Sequence, residues 1–222
     1  MDRSELQKER AMNYIELVEH LQNKYGIPNR AYFRTESCKS KSPIMRTDEG
    51  LFVHHVKEMI RPKLSNPKVA TMCPWEWQQP ENLCYCNYLE HLLLHVCINL
   101  DKCERSGKLV SDGLVCCIIP ELEDYYARRP VYTEKNVVWR NAVNKVIEDN
   151  QQDFEEIVAD WKAKINKYIE KPKEAKKPAT SSDNIENDIS TGCFGCFCVM
   201  SFVGVLVAIG FVAISLLTMI FS

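Results

Sequence analysis

The chain has 222 residues, 28 Lys and Arg against 30 Asp and Glu for a net charge of −2, and 45% hydrophobic residues. That balance excludes a strongly basic protein and leaves any nucleic-acid contact to a local patch. Eleven cysteines at irregular spacing, with a charged N-terminus and no apolar run behind it, read as reduced thiols rather than the disulfide framework of a secreted domain.

Ser4-Glu5-Leu6-Gln7 has the form of a capping box, and Leu6, Tyr14, Ile15, Val18 and Leu21 recur at helical spacing until Gly26 and Pro28. A first helix is expected over about 5–25. Tyr32 and Phe33 suggest a short strand over 31–36, and residues 39–50 read as polar loop. The run from Gly50 to Val56 is a second strand candidate, bounded by glycine and by the charged Lys57-Glu58. Residues 57–81 form a long connection with prolines at 62, 67, 74 and 80, leaving room for one helical turn between Ser65 and Met72.

Leu83-Cys84-Tyr85-Cys86 is a third short strand candidate. Asn87 then offers an N-cap with Glu90 at the capping-box position, and Leu89, Leu92, Leu93, Val96 and Leu100 line one face of a helix that runs to Gly107. Residues 112–129 read as helical with an interruption at Pro120. A long amphipathic helix is expected over 134–170, where Ile147, Phe154, Val158, Trp161, Ile165 and Tyr168 fall at alternating three- and four-residue steps, broken at Gln151. That face either packs on the chain's own domain or forms a homodimer through 147–168.

Residues 171–192, rich in Lys, Pro, Ser, Asp and Asn, read as a flexible linker. From Gly192 to Ser222 there is no charged residue, and 194–221 is dense in Val, Ile, Leu, Phe and Ala. A helix needs about 20 such residues to cross the hydrocarbon core, so 193–222 is expected to be a single-pass transmembrane anchor. The expected layout is tail-anchored, with the N-terminal domain cytosolic and Cys193, Cys196 and Cys198 at the membrane entry, either lipidated or part of the helix.

Four of the five histidines lie close together in the chain: His54, His55, His91 and His95. His91 and His95 are one helical turn apart and share a face, as two ligands of one metal must. His54 and His55 are adjacent on a strand and point to opposite sides, so only one of them can join the same ion. In order, the pattern is His54-His55-Val56-Lys57, a connection, Asn82-Leu83, eight residues from 83 to 90, His91, then His95.

That pattern resembles the HNH (ββα-metal, or His-Me finger) nucleases, with spacing from Asn82 onward like that of the colicin DNase branch. The phrases Gly50-Leu51-Phe52-Val53-His54-His55 and Glu81-Asn82-Leu83-Cys84-Tyr85-Cys86-Asn87-Tyr88-Leu89-Glu90-His91 also look like HNH-like proteins of bacteria and phages. The resemblance covers about residues 50–100. It implies that His55 is the general base that activates water, that His54, His91 and His95 hold one divalent cation (Mg, Mn, Zn or Ni), and that Asn82 fixes the loop. Nucleic acid, with DNA the first expectation, would be the substrate. Lys57 is either a phosphate contact or a solvated strand end.

The connection from His55 to Asn82 is longer than in compact members and has no Gly-Gly turn. Cys73, Cys84 and Cys86 could form a thiolate site or be buried free cysteines. Asn87 and Glu90 are expected to cap rather than ligate, His20 to lie at the surface, and Trp75, Trp77 and Tyr85 to pack or to stack on bases.

The expected fold class is α+β: a small ββα-metal core embedded in a mostly helical domain, plus one C-terminal transmembrane helix. The expected organisation is 1–130 as the HNH-like domain with its N-terminal helix, 131–170 as the long helix, 171–192 as the linker and 193–222 as the anchor. A membrane-tethered, metal-dependent endonuclease follows from this, and the alternative is a non-catalytic, tail-anchored metal-binding interaction module.

Overall fold

The structure, a computed structural model, describes residues 2–128 and 137–169. The linker and anchor expected over 171–222 lie outside the described residues. Among the described residues no helix is long and apolar enough to cross a membrane.

The α+β expectation is corrected by the secondary structure. Helices dominate, and the only sheet among the described residues is one antiparallel pair of four-residue strands, β1 (Phe52–His55) and β2 (Leu83–Cys86). The strand expected over 31–36 reduces to a single bridge between Phe33 and Lys41. The chain reverses between them, where the Cys38 amide bonds the Thr35 carbonyl at 2.9 Å and Cys38 takes a φ of 51°, so no ladder can extend.

The first helix is two. In α1 (Arg3–Arg10) the cap is Asp2 rather than Ser4, with the Asp2 side chain accepting from the Ser4 amide. A second start follows at once, because Asn13 and Glu16 form a reciprocal capping box that opens α2 (Tyr14–Tyr25). The long connection carries one helical turn, α3 (Pro67–Ala70), capped by Asn66 with Pro67 at the first position.

Helix α4 (Tyr88–Ser106) forms as expected, with the Asn87 and Glu90 capping box at its start and left-handed Gly107 at its end. A π-helical turn over Leu114–Ile118 leads into α5 (Ile119–Arg128). The expected single helix over 134–170 is instead α6 (Val137–Ile147) and α7 (Gln151–Ile169). Asp149 and Asn150, both weak helix formers, fall in the break.

Helix α4 is the axis of the main core. Leu89, Leu92, Leu94 and Ile98 are buried against α1, α2, α6 and α7. The seam Ile147, Phe154, Val158, Trp161 and Ile165 is buried in this same core, and Trp161 Nε1 donates to Asn99 Oδ1 of α4 at 3.0 Å. Residues 137–169 therefore belong to the domain's own packing rather than standing apart from it.

A second, smaller core lies on the other side of the ribbon, with Tyr32, Phe33, Cys38, Ile44, Ala70 and Leu83 buried and Val53 and Trp75 beside them. A two-stranded ribbon is marginal alone, and this one is covered on both faces. Gly50 sets its entry: at φ 86° it is left-handed, and a Cβ there would lie 2.5 Å from the Val143 amide nitrogen of α6.

Candidate metal centre

Register decides which histidines meet. In the antiparallel pairing His54 lies opposite Cys84 and His55 opposite Leu83, and alternate residues face opposite sides. Phe52 and His54 therefore face α4, while Val53 and His55 face the smaller core. His91 and His95, one turn apart on α4, come up beneath His54. One ring nitrogen from each of the three lies within 4.8 Å of the others. The ring centroids are 5.5 Å (His54 to His91), 5.2 Å (His54 to His95) and 4.6 Å (His91 to His95) apart.

The hydrogen bonds settle the tautomer of His54. Tyr14 of α2 donates its single hydroxyl proton to the Val56 carbonyl at 2.9 Å. Its oxygen also lies 2.9 Å from His54 Nε2 and is left only the acceptor role there, so Nε2 carries the proton. The lone pair of His54 is on Nδ1, which is buried and has no hydrogen-bond partner. His91 Nδ1 is likewise buried and unpartnered. Two buried, unsatisfied imidazole nitrogens beside a third ring are the donors a divalent cation needs, and Tyr14 orients its ligand as outer-sphere partners of metal histidines do.

Electrostatics agree with neutral rings. Burial, then repulsion from His95 and His91, holds His54 well below the ordinary imidazole range. Burial, then His95, does the same for His91. Burial, with Lys102 adding to it, brings His95 down to about 4. Neutral imidazole is the form that ligates metal.

A carboxylate completes the surroundings, and sequence reasoning missed it. The 3₁₀ turn Val56–Met59 that follows β1 carries Glu58 back over the rings. Its Oε2 is 3.5 Å from His95 Nε2 and 4.0 Å from His54 Nδ1. Burial raises the Glu58 carboxyl to about 7, against the Leu64 backbone N–H that donates to it. The available signal was the four-residue spacing from His54, the same spacing that joins His91 to His95.

No known family model, curated protein or solved structure matches the chain.

The structure does not bring His55 to this cluster. Its Nε2 donates to Gln78 Oε1 at 3.0 Å, its ring lies 4.4 Å from that of Tyr32, and it is 1% exposed. Burial depresses it to about 4, against the Gln78 bond. The partner amide, Gln78, is buried and reaches the Leu64 carbonyl at 3.4 Å. Leu64 thus ties the two sides together, its N–H on Glu58 and its carbonyl on Gln78.

Asn82 stands apart from both clusters, at the end of a 3₁₀ turn, where its Nδ2 donates to the Glu76 carbonyl at 2.8 Å. That bond braces the loop that carries Gln78. Lys57 is half-buried and makes no ion pair among the described residues. Asn87 and Glu90 cap α4, and Cys73, Cys84 and Cys86 form no disulfide among the described residues.

Glu5, Glu9 and His20 also lie close enough to share an ion. There the cation's place is already taken, because Lys24 Nζ sits 2.9 Å from Glu5, 3.0 Å from Glu9 and 2.7 Å from Glu90. His20, expected at the surface, bonds Glu9 at 3.1 Å within this network.

Proposed function

We propose that the chain is a divalent-metal-dependent, HNH-like endonuclease that hydrolyses phosphodiester bonds of nucleic acid, with DNA the first substrate to test. The observation that supports this is the convergence of His54, His91 and His95, two of them with buried bare nitrogens, on a strand–strand–helix unit. A divalent ion held there would neutralise charge on the scissile phosphate and its leaving oxygen. His54, His91 and His95 position it, and Tyr14 fixes the ring of His54. The resemblance gives His55 the proton-acceptor role for the attacking water, and the bond to Gln78 leaves its Nδ1 lone pair free. Because His55 is 1% exposed and faces away from the three rings, the Tyr32 side must open for water to reach it. Asn82 holds the loop that supplies Gln78.

A net acidic chain needs a locally basic segment to meet nucleic acid, and residues 30–68 are the stretch that offers one in sequence. Residues 30–68 contain nine Lys and Arg (Arg30, Arg34, Lys39, Lys41, Arg46, Lys57, Arg61, Lys63, Lys68) against four acidic residues (Glu36, Asp48, Glu49, Glu58). Lys41 Nζ sits over the Tyr32 ring at 5.3 Å, and that ring lies against His55. Exposed cations on these loops suit a phosphate backbone.

A second reading, a metal-stabilised interaction module without turnover, is favoured by the burial of His55 on the opposite face of the ribbon from the three rings. Plasmid nicking by the full chain with Mg²⁺, Mn²⁺, Ni²⁺ or Zn²⁺ and an EDTA control separates the two. In the nuclease, His55→Ala keeps metal binding and loses about 10²–10⁴-fold in rate, the worth of a positioned general base, whereas His54→Ala loses both. Failure of the wild type to cut DNA or RNA with any of the four metals leaves the module.

A further inference from the structure

We infer that Glu58 is the fourth protein ligand of the His54, His91 and His95 centre, which makes it an N₃O site for a first-row transition ion. The inference rests on the metal-centre part of the functional proposal and not on catalysis.

The site is crowded with acceptors. Tyr14 leaves His54 with its lone pair on Nδ1, and that atom faces Glu58 Oε2 at 4.0 Å. Neither atom has a proton to offer the other if the carboxyl is ionised. His91 Nδ1 is also buried and unpartnered, and one ring nitrogen of His91 lies within 4.8 Å of one from each of the other two histidines. Lone pairs converge from a strand, a 3₁₀ turn and a helix on one water-poor point, an arrangement that is costly unless a cation occupies it.

Glu58 is placed for that role. Its side chain is only 13% exposed, and its ion-pair contacts among the described residues are His54 and His95 alone. Leu64 N–H holds the carboxylate as outer-sphere donors hold a ligating group. The spacing fits as well. Ligands about 2.0–2.2 Å from a tetrahedral ion lie about 3.3–3.6 Å from one another, and Glu58 Oε2 is already 3.5 Å from His95 Nε2.

Three imidazoles and one carboxylate suit Mn²⁺, Co²⁺, Ni²⁺ or Zn²⁺ and not Mg²⁺, which prefers oxygen ligands and retains several waters. The donor count also separates these ions. Four protein ligands complete a tetrahedral Zn²⁺, whereas a six-coordinate ion keeps two open positions, so any cutting should be supported by Mn²⁺, Co²⁺ or Ni²⁺ and be weak with Zn²⁺.

The test is Co²⁺ titration of the full chain, followed by visible absorption and X-ray absorption, with wild type and Glu58→Gln compared. The wild type should bind one Co²⁺ with three nitrogens and a carboxylate oxygen in the inner sphere. Glu58→Gln should weaken binding by about 100-fold or more, at or above the usual 10–100-fold for a partner that only orients a ligand, and should alter the spectrum.

Thermal melts guard against a purely structural effect. Without metal, Glu58→Gln should be at least as stable as wild type, because a buried carboxylate is gone. With metal it should be less stable. Equal affinity and an unchanged spectrum in Glu58→Gln overturn the ligand assignment alone, as does equal destabilisation of the apo and metal-loaded forms. Absence of Co²⁺ binding by the wild type overturns the assignment and the metal centre together.

Discussion

The two faces of the β1–β2 ribbon carry the same residue type at neighbouring positions and make different use of it. On the α4 face, His54 meets two more histidines and a glutamate, and its free nitrogen has no partner. On the other face, His55 bonds Gln78, packs against the tilted ring of Tyr32 and lies beside the smaller core. The chemistry of an imidazole here depends on what the opposite layer supplies: a helix that presents histidines at one-turn spacing, or a proline-rich loop that presents one amide. One backbone register separates them, and a shift by one residue would exchange their roles.

The widest way to probe this contrast is acid. Both faces hold neutral histidines, so protonation disfavours both in the metal-free protein. A folded value depressed below the ordinary 6.5 or so means stability that is complete above pH 6.5 and lost as the pH falls toward the folded value. His55 and His95, each brought down to about 4, then cost about 3 kcal/mol apiece by pH 4. Glu58, raised to about 7, acts the other way, destabilising as the pH rises from 4.5 to 7, and so returns about 3 kcal/mol over the same descent. The histidines outweigh it. Metal-free protein should lose several kcal/mol between pH 6.5 and 4, a large share of the stability of an ordinary domain. A melting temperature that stays flat across that range would show the rings to be solvated.

The second probe separates the faces. Metal at 1,000 times its Kd should stabilise the wild type by about 4 kcal/mol, and His91→Ala or His95→Ala should abolish that gain. His55→Ala should retain it. Calorimetry at pH 7.5 with and without Co²⁺ is the measurement, and equal metal stabilisation in all three variants would erase the distinction between the faces.

The smallest expected effect is the sharpest. Tyr14→Phe removes one oxygen from the α4 face and frees His54 to change tautomer. Metal affinity should fall about 10–100-fold, as for other outer-sphere partners, with the fold intact by circular dichroism. Unchanged affinity would mean that packing alone orients His54.

The ββα order was legible because each piece has a local cause: glycine and alternation for β1, the Asn87 and Glu90 box for α4, Gly107 for its end. His91 and His95 were legible as a pair for the same reason, since one helical turn is a local spacing. Less legible were the breaks. The Asn13 and Glu16 box that splits the first helix is visible in the sequence, but the longer apolar period ran across it. The α+β expectation failed because β propensity at Tyr32 and Phe33 describes a residue's fit to a sheet, and among the described residues only Lys41 pairs there.

By itself the sequence determined β1, β2 and α4, and that three histidines on a strand and a helix could share an ion. Only the tertiary structure decided that His55 is sealed under Tyr32, that Tyr14 sets the tautomer of His54, and that Glu58 returns over the rings. Those depend on side chains brought together across 20 residues or more, or on how a turn folds back, and hydrophobic periodicity and capping report neither. They describe what a segment does with its own neighbours, whereas a metal centre is made by what different segments leave unsatisfied when they meet.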